Sequence, residues 1–305
     1  MIKVTADIFS GRPNPQWIVS GAEAATALRA LSQQPAAAAN LDSGFQGLGN
    51  RGLIVEVLND HSQDEYGVPA IFRLAGSGSS HESHARETAE RLIAALTAHG
   101  AGDHPLLTSA EGALPLDADL MRFILGGLPA ARGPLTHSAE QAETIDSASS
   151  VSATAACLIE TTLFNPGFWN DPAHISRNNC YNYATNRRTD TFAQPGRASG
   201  HMYAHINCAD VGNGAVSDGG TFACAPDSQK NRWYMALVIA PGPGFIDYHW
   251  YRKATQGFWG HKPGGTAARN VDNAGRVVVD PRTANRGPYT IFCRFMFAQK
   301  KMVVR

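Results

Sequence analysis

The chain has little charge, and what it has cancels. Of its 305 residues only 17% are charged, with 26 Lys and Arg against 26 Asp and Glu. A nucleic-acid surface shows a basic footprint, so nucleic acid is excluded as the expected partner. No run of about 18 apolar residues occurs, so no membrane-spanning helix is expected. The opening residues, 1–17, lack a basic stretch followed by an apolar one. No signal peptide is read there, and the expected compartment is the cytoplasm, with secretion by another route left open. Cysteine is sparse too: five, at 157, 180, 208, 224 and 293, an odd number without a C-x-x-C pair. In a chain of this length with no export signal, that pattern predicts no disulfide framework and at least one free thiol.

Hydrophobic residues make up 43% of the chain, enough for proper cores, while 30 Gly and 17 Pro imply many loops. The length suggests two domains. Residues 2–9 read as a strand that runs into a turn at 10–15, where Pro13 and Pro15 forbid a helix and behind which Trp17 is placed in the core. A helix is expected over 22–31 after Ser20, strands over 52–58 and 69–74 joined by a polar loop, and helices over 84–99 and 117–125. These elements make residues 1–126 an N-terminal accessory domain of mixed helix and strand. The polar, aperiodic stretch 127–153 reads as a linker. Residues 154–305 form the second domain, in which strands at 233–240, 245–252, 258–261, 276–279 and 289–297 predict an antiparallel sheet preceded by a short helix. The fold class is α+β.

The first chemical candidate is Arg177-Asn178-Asn179-Cys180-Tyr181. Asparagine is a strong helix N-cap, so the motif predicts a short helix opening at Cys180. A helix start lowers a thiol pKa and favours thiolate. The second candidate is a pair of histidines, His249 in residues 245–252 and His261 in residues 258–261. With a turn at 254–256, residues 253 and 257 pair, and His249 faces His261 with Cβ atoms about 5 Å apart. A two-residue shift leaves the histidines diagonal neighbours, whereas a one-residue slip separates them. A third group, His201, His205, Cys208 and Cys224, has partial zinc-site spacing, although the glycine-rich run 211–220 argues against the helix that would align it.

A thiol opening a helix, then a strand histidine, then a polar orienting group resembles the papain-like cysteine hydrolases, in the broad sense that includes NlpC/P60 and CHAP amidases. The resemblance spans at most residues 165–297 and is one of pattern. The Asp-Cys-Ser-Gly type of signature is absent, and Asn-Asn-Cys-Tyr stands in its place. It implies a papain-like domain with the nucleophile helix packed on an antiparallel sheet. Cys180 would be the nucleophile and His249 or His261 the base, with His249 favoured for its longer strand. The other histidine, Asp272 or Asp280 would orient the base, and Asn178 or Asn179 would line an oxyanion hole or simply cap the helix.

The implied activity is acyl transfer through a Cys180 thioester, most simply amide or peptide bond hydrolysis on a peptide or amide substrate, with no cofactor. The alternatives are a metal-binding protein or metalloenzyme using the Cys and His ligands, and a non-enzymatic binding protein. Cys157 and Cys293, both in apolar surroundings, are expected to be structural.

Overall fold

A computed structural model describes residues 1–74, 82–98, 118–127, 159–224 and 233–305. The chain divides into two compact units, Met1–Gly133 with Pro243–Phe245, and Pro134–Gly242 with Ile246–Arg305. Beyond its first residue, the expected linker at 127–153 lies outside the described residues, as does Cys157.

The first unit runs β1 (Ile2–Ala6), β2 (Gln16–Val19), α1 (Gly21–Gln33), β3 (Ala38–Ala39), β4 (Leu53–Val57), α2 (Asp60–Tyr66), β5 (Ile71–Leu74), α3 (Glu82–Ala98) and α4 (Ala118–Gly127). Its antiparallel sheet has the order β2-β1-β4-β5-β3. Alternation along β4 buries Leu53, Val55 and Val57. Helical spacing buries Ala24, Leu28 and Leu31 of α1 and Ala85, Ala89 and Leu92 of α3. Trp17 is in this core as expected, its indole N–H donating to the Leu92 carbonyl at 3.1 Å.

The 10–15 turn is held from within. Asn14 Oδ1 accepts from the N–H groups of Ile8 and Phe9 at 3.0 and 2.7 Å. Nearby, buried Asp7 pairs with Arg51 at 2.8 Å and Arg73 at 3.0 Å. The segment between the two hairpin strands is a helix, α2, where a loop was expected. Asn59 caps it, and Gly67 closes it at φ 61°, the left-handed conformation that glycine adopts freely.

The second unit contains α5 (Pro166–Trp169), α6 (Cys180–Ala184), α7 (Cys208–Ser217), β6 (Trp233–Pro241), β7 (Ile246–Lys253), β8 (Trp259–His261) and β9 (Ile291–Ala298). Its antiparallel sheet has the order β8-β7-β6-β9. Helices α6 and α7 cover one face, where Tyr181, Val211 and Ala215 meet Leu237, Tyr248, Trp250 and Met296. Helices on an antiparallel sheet make the class α+β. Residues 276–279, expected as a strand, contribute only an isolated bridge, Val271 to Val277.

Helix α7 forms in spite of its glycines, and packing explains them. A Cβ on Gly214 would lie 2.8 Å from the Pro195 carbonyl oxygen, so glycine lets the helix approach that segment.

The expectation of no disulfides is corrected. Cys208 at the start of α7 is bonded to Cys293, with Cα atoms 5.3 Å apart. In β9, Arg294 pairs with Leu237 and Phe292 with Val238, so Cys293 is the extra residue of a bulge. A bulge re-aims its side chain, and here it turns Cys293 toward α7. Cys224 is disulfide-bonded as well.

Candidate functional site

Cys180 is held at the start of α6 by a reciprocal cap. Asn179 Oδ1 accepts from the N–H groups of Tyr181 and Asn182 at 3.1 and 3.2 Å, and Asn182 Oδ1 accepts from the Asn179 N–H at 3.1 Å. Asn179 Nδ2 donates to the Ala193 carbonyl at 2.7 Å. Asn178 is committed too, bonding the His174 carbonyl, Asp190 Oδ1 and the N–H groups of Thr189 and Asp190. The two asparagines considered for an oxyanion hole therefore serve to hold the loops around the cysteine.

Lys262, which no sequence motif marks, holds the segment that leads to Cys180. Buried just beyond β8, its Nζ donates to the carbonyls of Ile175 and Asn178, both at 2.6 Å, and of Gly264 at 2.9 Å. All three ammonium protons are thus directed at main-chain oxygens.

Cys180 is the free cysteine among the described residues, and it is wholly buried. Strand β8 pairs only with Tyr251–Lys253 of β7. Just before that stretch, the Trp250 backbone hydrogen-bonds the Cys180 sulfur. The thiol therefore lies on the backbone of the residue next to His249.

The expected lowering of its pKa is corrected. Burial pushes the thiol well above its ordinary value and the Asp247 carboxylate adds to the rise, against the opposing pull of the backbone bonds and of Lys262. Cys180 rests as a neutral thiol.

The observed register pairs Tyr251 with His261, two residues away from the pairing expected for His249. Because side chains alternate with period two, the histidines stay on one face as diagonal neighbours. Their rings meet: His249 Nε2 lies 2.9 Å from His261 Nδ1, and His261 Nε2 lies 2.9 Å from the Val271 carbonyl oxygen.

A carbonyl can only accept, so His261 carries its proton on Nε2. Burial, with the Arg269 charge adding to it and the Val271 bond and the Asp272 carboxylate opposing, lowers the His261 pKa to about 4. The ring is therefore neutral near pH 7 and Nδ1 holds a lone pair. His249 must donate to it from Nε2, which leaves Nδ1 as the basic nitrogen of His249. The orienting bond considered for Asp272 or Asp280 is not made, and Asp272 acts on His261 only through its charge. Asp272 accepts from the N–H groups of Ala274, Arg276 and Asn285 and from the Arg276 side chain, and bonds neither ring. Burial opposes its charge, but these bonds prevail and hold its pKa below the usual carboxylate range. Asp280 pairs with Arg282.

The site is closed. Cys180, His249 and Tyr251 are 0% exposed and His261 is 1% exposed. Tyr289 stands against His249 with ring centroids 5.7 Å apart, its hydroxyl bonded to Asp247 at 2.5 Å. Any reaction at Cys180 must follow an opening of this cover.

The zinc alternative fails on its ligands. Cys208 and Cys224 are consumed in disulfides, His201 bonds the Ser199 carbonyl and His205 bonds Asp210. Among the described residues no group of three or more His, Cys, Asp or Glu could hold a metal ion. No described helix is long and apolar enough to cross a membrane.

No family model matches the chain. No solved structure matches it either. Among curated proteins it is similar to insoluble matrix shell protein 1 of Ruditapes philippinarum, 49% identical over 132 residues that are 43% of this chain and 86% of that protein. A relative named for the insoluble matrix of a shell overturns the cytoplasmic expectation. The disulfides agree with the correction, because cytosolic thiols are kept reduced.

Proposed function

This chain belongs to the family of insoluble matrix shell protein 1, and on that premise we propose that it is a cysteine-dependent acyl-transfer protein acting on peptide or amide bonds outside the cytoplasm. The observation that carries the reading is the chain of bonds from His249 through His261 to the Val271 carbonyl, in the same unit as a free thiol that lies against the Trp250 backbone. On this reading the second unit is a papain-like domain. His249 Nδ1 takes the Cys180 proton as the sulfur bonds to the substrate carbonyl carbon. The amide C–N bond breaks, and the leaving nitrogen receives that proton from His249. Water then adds to the thioester, the C–S bond breaks, and the proton from water returns to the sulfur through His249. His261 holds His249 in the tautomer that each step needs.

A second reading is favoured by the relative's name and by the complete burial of the thiol: a non-enzymatic matrix component with a packed cysteine. Hydrolysis of a panel of fluorogenic peptide amides by the full chain separates the two. The acyl-transfer reading expects turnover that falls at least about a hundredfold in Cys180→Ser and in His249→Gln. Turnover that is absent, or equal in all three proteins, supports the matrix reading instead.

A further inference from the structure

Two polar groups near the histidines are buried without a hydrogen-bond partner: the Tyr251 hydroxyl and Nη1 of Arg286. Tyr251 shares the face of β7 that carries His249. Its ring lies edge-on to His249 at 4.8 Å and stacks on His261 at 4.9 Å. Arg286 is half-buried in the turn that leads to Tyr289, and its Nη2 donates to the Thr290 carbonyl at 3.2 Å. The guanidinium and the phenol act on each other electrostatically, as Asp272 does on the phenol and Asp280 on the guanidinium, and the same turn brings Tyr289 against His249.

A buried donor with no acceptor costs on the order of 1–3 kcal/mol, and natural interiors keep very few. Phenylalanine at 251 would make the same ring contacts without that cost. The segment that carries Arg286 is rich in arginine, while the Asp247 carboxylate on β7 is engaged by the Tyr289 hydroxyl. Residues 269–289 carry Arg269, Arg276, Arg282 and Arg286 against Asp272 and Asp280. Both aspartates are engaged, by Arg276 and Arg282, whereas Arg286 has no ion-pair partner among the described residues.

We propose that the Tyr251 hydroxyl and the Arg286 guanidinium form a carboxylate-binding subsite beside Cys180, His249 and His261, and that its ligand is an acidic peptide. A carboxylate offers two acceptor oxygens and one negative charge, which match one neutral donor and one cationic donor. The use of the subsite to select substrates rests on the acyl-transfer reading; its capacity to bind a carboxylate does not.

The probes are glutarate and its uncharged isostere glutaramide, titrated into the full chain by calorimetry. Glutarate is expected to bind and glutaramide not. Tyr251→Phe and Arg286→Gln should each weaken glutarate at least tenfold, and Cys180→Ser should leave it unchanged. Tyr251→Phe should also keep or raise the melting temperature, because it removes only an unmatched hydroxyl.

No glutarate binding, equal binding of the two probes, or binding indifferent to both variants overturns the proposal. So does a fall in melting temperature in Tyr251→Phe, which would make the hydroxyl a structural group. Glutarate binding in a chain that cleaves no peptide sinks the acyl-transfer reading alone. Cleavage that is indifferent to acidic residues, without glutarate binding, sinks the subsite alone.

Discussion

Acid should turn the burial of His261 into a liability. Its pKa falls from 6.5 to about 4 on folding, chiefly because burial disfavours the imidazolium. Above pH 6.5 the ring is neutral in folded and unfolded chains alike, and stability does not depend on it. As the pH falls from about 6.5 toward 4, the unfolded chain takes up a proton that the folded chain refuses, so stability is lost. At about 1.4 kcal/mol per pKa unit, the loss approaches about 3 kcal/mol by pH 4. His261→Gln removes the titration and leaves the carboxylates, so their contribution cancels in the comparison. Urea unfolding of the two proteins between pH 7.5 and 4.5 should show the wild type losing about 2 kcal/mol or more relative to the variant. NMR of the ring should place its titration near pH 4. A ring that titrates near 6.5, or a difference independent of pH, would refute the neutral His261 on which the tautomer of His249 depends.

Cys208→Ser with Cys293→Ser should cost about 4 kcal/mol in urea unfolding, because the bond spans 85 residues; a loss under about 1 kcal/mol would mean that the unfolded chain is constrained in another way. In the first unit, the guanidinium groups of Arg51 and Arg73 overcome burial and lower the Asp7 pKa from 3.8 to about 2, so its contribution holds above pH 3.8 and is lost as the pH falls toward 2. Asp7→Asn should destabilise that unit by about 3 kcal/mol or more at pH 7 in urea unfolding, since it leaves two buried cations without a carboxylate. Lys262→Met should cost about 2 kcal/mol, because three carbonyls lose their donor. It should also slow Cys180 alkylation at a fixed pH, since the lost charge favoured the thiolate; an unchanged rate would remove Lys262 from the site.

The parts of this site that were legible in the sequence are those governed by local rules. Two asparagines before Cys180 announce a capped helix, and the cap is present atom for atom. The histidine pair survived a misjudged turn because a two-residue error preserves the face of a strand. The α+β class followed from apolar periodicity in both halves.

What stayed hidden depends on distant chain segments. Nothing local to Val271 marks its carbonyl as the acceptor that sets the His261 tautomer, whereas the neighbouring Asp272 carries a side chain with the chemistry of an orienting group. The bulge that turns Cys293 toward Cys208 arises from pairing between β6 and β9, which cysteine spacing does not encode. Gly214 looked like a helix breaker because its reason, the Pro195 carbonyl, lies elsewhere in the fold. Helix α2 is the exception, since Asn59 and Gly67 mark both of its ends locally.

If Cys180 takes an acyl group with His249 as its base, the acyl-enzyme can be trapped. Mass spectrometry tests it most directly: the full chain is mixed with a peptide p-nitroanilide, quenched in acid within seconds, digested and mapped. An acyl mass is expected on the peptide containing Cys180, absent in Cys180→Ser and strongly reduced in His249→Gln. Release of nitroaniline with no adduct on Cys180, or an adduct that forms equally fast without His249, would contradict it.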